Sequence, residues 1–223
     1  MTVTTRRERR QQQRRQQQRR TAGGGGGGGS RRISQMWIVL GVVVAIVAVI
    51  LVGRAAGVFT PPATSKTDVN AVDVSGPQVG THQDNLGNNH IPTGQKGNYT
   101  EGVPPTSGEH WAQPAAPTPW GIKNAWLQFE VTTHNLEHGG VVIMYNALTP
   151  QQVTDLTALV RSLNSSGLTK IVLEPWPDMP KDSKVILTAW NWILKLPNPD
   201  DALEVKFARQ HYDSSEAPEQ GIP

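Results

Sequence analysis

Cysteine is absent from the 223 residues, which excludes disulfides and every thiolate metal site. With no redox signal to read, the compartment has to be argued from a membrane segment. Acidic residues are almost missing from the first 32 positions, where ten arginines face Glu8 alone, a net +9. From residue 55 onward the balance reverses, with ten Lys/Arg against seventeen Asp/Glu, a net −7. The formal total of +3 therefore describes neither part of the chain.

Residues 1–32 alternate arginine pairs with glutamine runs and end in a seven-glycine tract at 23–29. Nothing there seeds a core, so the segment reads as a disordered, cytoplasmic Arg/Gln/Gly-rich tail with a flexible spacer. Arginine beside a membrane helix already sets topology. That role is preferred over a tether to anionic lipid or nucleic acid, and no specific nucleic-acid partner is expected. Residues 36–53 are uninterruptedly apolar between Arg31-Arg32 and Arg54. Eighteen helical residues rise roughly 27 Å, close to the hydrocarbon thickness of a bilayer. The run, extended at both ends, predicts a single transmembrane helix over 33–57, and the length of the charged region before it argues against a cleaved signal peptide. The positive side stays inside, which puts the N-terminus in the cytoplasm and everything after about residue 60 outside the cell membrane. Residues 58–87 lack sustained periodicity and read as a flexible stalk, with His82 an ordinary exposed histidine.

Residues 88–220 are expected to form the extracytoplasmic domain. Its first half is loop-rich, with His90-Ile91-Pro92-Thr93-Gly94, Pro104-Pro105-Thr106-Ser107-Gly108-Glu109-His110-Trp111 and Trp120-Gly121. Proline fixes φ and glycine permits left-handed turns, so such a segment is ordered without regular elements, and loops this long are usually functional. The second half is clearer. A short helix ends at Gly139, and 141–146 is a buried β-branched strand. A helix opens at Thr149-Pro150 with proline in its first turn. Two strands follow at 170–174 and 184–190, joined by a loop holding Trp176 and Met179, and a last helix starts at Pro199-Asp200-Asp201. The fold class is α+β, β-α-β-β-α after the loop-rich half.

The densest chemistry is Thr133-His134-Asn135-Leu136-Glu137-His138-Gly139-Gly140. His134 and His138 are i and i+4, hence neighbours on one helix face, and Glu137 lies between them. With His90 and His110 brought in by the proline-rich loop, these residues make a candidate metal site, with Glu137 as a further ligand or as the partner that orients one. Neutral imidazoles suit copper and zinc. Met144 and Met179 would add soft thioethers and tilt the choice towards copper, although a methionine on a buried strand is more often core. The bland alternative is that the histidines hydrogen-bond backbone carbonyls. The His-x-x-Glu-His order also resembles the inverted zinc-protease motif, but Gly139 and Gly140 cut the helix too early for that chemistry. Two other classes compete. One is a hydrolase with Ser107 as nucleophile, a histidine as base and Glu137 as orienter. The other is an adaptor without chemistry, presenting Trp111, Trp120 and Trp126 to an envelope partner. His211, on the terminal helix, is given no role.

The segments His90-Ile91-Pro92, Pro104-Pro105-Thr106-Ser107-Gly108 with His110, His134-Asn135-Leu136-Glu137-His138-Gly139-Gly140-Val141-Val142-Ile143 with Tyr145-Asn146, Leu187-Thr188-Ala189-Trp190, and Ala217-Pro218-Glu219 occur in order. Over about residues 88–220 the chain thereby resembles the bacterial membrane-anchored family catalogued as domain of unknown function 3105, with Met144 where the family often has a second tyrosine. That family brings no activity with it. The expectation is an envelope protein with a histidine-rich copper or zinc site in an accessory or redox role, whose partners are the lipid bilayer and another envelope or respiratory membrane protein.

Overall fold

A computed structural model describes residues 64–222. The expected tail, the membrane helix at 33–57 and the start of the stalk lie outside the described residues. Among those described, no helix is long and apolar enough to cross a membrane.

The core strand is β5 (Val141–Tyr145), and its alternation decides the layering. Val141 and Ile143 point to one face of the sheet, and Val142 and Met144 to the other. All four are buried, because both faces are covered. On the first face lie α2 (Pro150–Ser165) and α3 (Asp201–His211), which contribute Leu156, Leu159, Val160 and Leu163, and Val205, Phe207 and Ala208. On the second lie α1 (Phe129–Glu137) and the loops, contributing Leu136, Trp176, Met179 and Trp190, with Phe129 packed alongside. The described residues are therefore α+β, as expected, and the structure adds that they stack in three layers.

The helix boundaries follow from local chemistry. Thr149 and Gln152 form a reciprocal capping box, with Pro150 at the position where no N–H is needed. Asp200 accepts from the Leu203 N–H at 3.0 Å to start α3. Helix α1 stops because Gly139 takes φ +81° just after its C-cap, His138.

Six strands form one mixed sheet in the order β1-β8-β7-β5-β6-β4. They are β1 (Thr81–His82), β8 (Trp192–Leu196), β7 (Val185–Ala189), β5, β6 (Ile171–Pro175) and β4 (Gly121–Ile122). β4 and β5 run parallel to β6, and β7 runs antiparallel to both β5 and β8. The expected order β-α-β-β-α lacks one strand. The run after residue 184 is a hairpin of two strands, β7 and β8, so the second half reads β-α-β-β-β-α. Trp190 and Asn191 form its turn, with Asn191 at φ 63°, a conformation asparagine tolerates.

Residues 64–87, expected as a flexible stalk, pack on the domain. Val69 is buried in the core, and Arg209 donates to the Val69 and Val72 carbonyls. Gln210 and Lys206 reach the carbonyls of Val74 and Ser75, and β1 pairs with β8. The polar composition hid this, because the contacts run through backbone carbonyls. His211, given no role, is buried here, with its Nε2 on the Val79 carbonyl at 2.9 Å and its ring stacked on Trp192.

Candidate metal centre

The two histidines of the proline-rich half meet through the backbone. β2 (His90–Ile91) and β3 (His110–Trp111) form a separate two-stranded parallel ribbon in which His90 is paired with His110. The Gly108 and His110 N–H groups extend it by donating to the Gly87 and Asn89 carbonyls, at 2.7 and 3.1 Å. Helix α1 packs against β3 and turns His134 and Glu137, i and i+3, towards the ribbon. Asn135, fully buried between them in sequence, holds the loop to the helix, donating to the Thr118 carbonyl at 2.8 Å and accepting its N–H at 3.1 Å.

Three imidazoles converge on one carboxylate oxygen. Glu137 Oε2 lies 2.8 Å from His110 Nε2, 3.6 Å from His90 Nε2 and 3.9 Å from His134 Nε2. The ring centroids are 4.7 Å apart for His90 and His110, 5.1 Å for His90 and His134, and 4.9 Å for His110 and His134. The other carboxylate oxygen, Oε1, accepts from Asn88 Nδ2 at 2.8 Å. His110, His134 and Glu137 are buried, while the His90 side chain is 45% exposed and leaves one edge open to water.

The far side of each buried ring is fixed. His110 Nδ1 donates to the Gly108 carbonyl at 2.8 Å, and His134 Nδ1 donates to the Trp111 carbonyl at 2.7 Å. A carbonyl oxygen only accepts, so the proton sits on Nδ1 in both rings and Nε2 carries the lone pair when the ring is neutral. Two such lone pairs then face a carboxylate oxygen. Only a shared proton or a cation reconciles that arrangement, and carbonyl-oriented imidazole is how metal-binding histidines are usually held. Burial pushes the His134 imidazole down, against the opposing pull of the Trp111 carbonyl, and keeps it neutral. Burial would raise the Glu137 carboxyl, but hydrogen bonds from His110 and Asn88 and the nearby imidazoles outweigh it and hold the carboxyl below the usual range. His90, His110, His134 and Glu137 could together hold a metal ion, their ligand atoms all lying within 4.8 Å of one another.

His138 stands apart from this group. Its Nε2 meets Glu219 Oε2 at 3.1 Å, and with His134 these residues make a second cluster of the same compactness. Its carbonyl accepts from Lys170 Nζ at 3.1 Å. Two participants were missed in the sequence. Asn88 precedes His90 by two residues and drew no notice as an amide. Glu219 stood in the Ala217-Pro218-Glu219 motif, but its distance from the histidines gave no reason to join it to them.

The competing arrangements are not assembled. Ser107 Oγ is buried and accepts from the Leu86 N–H at 2.9 Å, and among the described residues no hydrogen bond joins it to a histidine. Trp111 is buried with its Nε1–H on the Gln95 carbonyl, and Trp120 packs over Gly140, so of the three tryptophans only Trp126 is exposed. Met144 and Met179 sit in the apolar cluster with Leu136 and Trp190, where packing accounts for them.

No curated protein and no solved structure matches the chain. A family model described as "Protein of unknown function (DUF3105)" matches residues 90–223, a span that begins at the first histidine of the centre and includes Glu219. The chain belongs to the DUF3105 family of proteins of unknown function.

Proposed function

We propose that this domain is a metal-binding module of the cell envelope, anchored by the apolar run at 33–57 with its N-terminus inside, and that its centre takes zinc or copper(II). The observation that supports this is the convergence of three imidazole Nε2 atoms on one Glu137 oxygen, with two of the rings oriented by backbone carbonyls. The donor set is all nitrogen and oxygen. The chain has no thiolate, and among the described residues both methionines sit in the apolar cluster, which disfavours copper(I), a soft ion that prefers sulfur. Three imidazoles and a carboxylate suit tetrahedral zinc at roughly 2 Å per bond, or copper(II) with a water added at the His90 edge. An open edge fits an ion that exchanges, or meets a further ligand, in the accessory or redox role at the envelope. The expected partner is another envelope or respiratory membrane protein.

Thermal unfolding of the full-length protein tests this. An ion at a hundred times its dissociation constant stabilises the folded state by about 2.7 kcal/mol, several degrees in Tm for a domain of this size. The rise is expected with excess zinc or copper(II) over a chelated sample, and it should vanish in His90→Ala, whose exposed side chain leaves the fold intact. An absent rise, or an equal rise in His90→Ala, would refute the reading.

A further inference from the structure

We infer that His134, His138 and Glu219 form an outer position at which an incoming divalent ion is first held, and from which it passes to the inner group of His90, His110, His134 and Glu137. The inference rests on the metal reading above. The two clusters share His134, whose ring lies 4.9 Å from His110, 5.1 Å from His90 and 4.9 Å from His138, centroid to centroid. Its Nδ1 is committed to the Trp111 carbonyl, so Nε2 is the one nitrogen it can offer. One lone pair binds one ion. With His134 as a ligand of both, the two positions exclude each other, and their relation is succession rather than a two-metal site.

The inner group has its own open edge at His90, 45% exposed, so the outer position concerns entry from the opposite side. There His138 and Glu219 are 5% and 37% exposed and Glu137 is 1% exposed, and an ion arriving on that side meets Glu219 first. The Glu219 N–H donates to the Glu137 carbonyl at 3.0 Å, which mounts the outer carboxylate on the residue that carries the inner one. Asp213 fixes the rest of the C-terminal segment, donating its N–H to the Gly139 carbonyl and accepting from Lys170 Nζ and the Gly221 N–H. Transfer is a ligand exchange about His134 Nε2. The ion keeps that bond, releases His138 Nε2 and Glu219 Oε2, and gains His90 Nε2, His110 Nε2 and Glu137 Oε2. No electron moves, and any proton on the ligand atoms the ion takes up leaves to water.

The test is stopped-flow loading of the full-length protein with cobalt(II) chloride, whose visible bands report coordination, beside Glu219→Gln and His138→Gln. Both variants should reach the wild-type end-point spectrum and ion count, with loading slowed by roughly 10-fold or more, the lower end of what loss of a residue around a metal costs in affinity or activity. Two variants are needed because either side chain alone could loosen the C-terminal segment; slowing in one and not the other overturns the inference. So does loading at the wild-type rate in both, which would mean entry past His90, and so does a second ion per chain. A changed end-point spectrum in Glu219→Gln would make Glu219 an inner ligand and overturn it as well. If the wild-type protein takes up no cobalt, the metal reading falls with it; if it loads normally and the variants load as fast, only the outer position falls.

Discussion

Glu137 divides its oxygens, one to Asn88 and one to the three imidazoles, and the buried histidines divide their nitrogens in the same way. The sequence could offer two readings of these histidines, as metal ligands or as donors to backbone carbonyls. The structure gives His110 and His134 one nitrogen of each kind. The candidacy of Glu137, His90, His110 and His134 was legible from residue type, whereas the i, i+4 pairing of His134 with His138 belongs to the second cluster. Which nitrogen does what was not legible, because Gly108 and Trp111 enter through their carbonyls, which carry no side-chain signature. Asn88 was invisible for a related reason, since a lone amide in a loop has many uses. Its role can be measured. Asn88→Ala frees Oε1 and lets the carboxylate turn, so zinc affinity by competition with a chelator should fall about 10-fold, as for other partners that orient a ligand. An unchanged affinity would mean that Glu137 is positioned without it.

The junction of α1, Gly139-Gly140 and β5 was the element most legible in advance, because a helix face, a left-handed stop and a β-branched run follow one another without a gap. Gly140 has its own reason to be glycine. A Cβ there would stand 2.4 Å from the Trp120 ring and 2.8 Å from the Asn135 carbonyl oxygen. Gly140→Ala should therefore cost about 1–3 kcal/mol in denaturant unfolding, the usual range for overpacking a filled site; a neutral effect would show that Trp120 swings away freely. The ribbon of β2 and β3 was not legible. Two residues per strand are too few for any periodicity, and the pairing of His90 with His110 closes a loop of 19 intervening residues in which proline and glycine mask the register. β8 was missed differently: Trp190-Asn191 carries a turn without the glycine that usually marks one, so the strand expected over 184–190 had no partner after it.

Across the whole molecule, the described residues carry a net −7 and bury two carboxylates with no cation in direct contact. Burial pushes Glu174 on β6 and Glu204 on α3 up to about 7 each. Both stay protonated in the folded state between pH 4.5 and 7, where the unfolded chain has lost the proton. Their contribution is therefore fully present below pH 4.5 and is lost as pH rises to about 7, on the order of 3 kcal/mol each. His134 and His211, pushed down by burial, act in the opposite direction below pH 6.5. The measurement is thus a difference. Relative to wild type, Glu204→Gln, which keeps an acceptor for the Asp200 N–H, should gain stability steadily between pH 4.5 and 7 and then level off. A flat difference would mean that Glu204 is ionised throughout. At this scale the α+β class was legible from the order of strands and helices, while which face of the sheet each helix covers was not. The attachment of residues 64–87 was not, since it depends on Arg209 and Gln210 reaching backbone carbonyls from the far end of the chain.

The centre that all three scales serve is tested most directly by counting metal per chain. Full-length protein without a histidine tag, His90→Ala and His138→Ala would each be incubated with zinc and with copper(II), dialysed and analysed by element. Close to one ion per chain is expected in the wild type and in His138→Ala, and a large loss in His90→Ala, since ligand loss at a site of this kind forfeits the ion. A wild-type protein without metal, or an ion kept in His90→Ala and lost in His138→Ala, would contradict it.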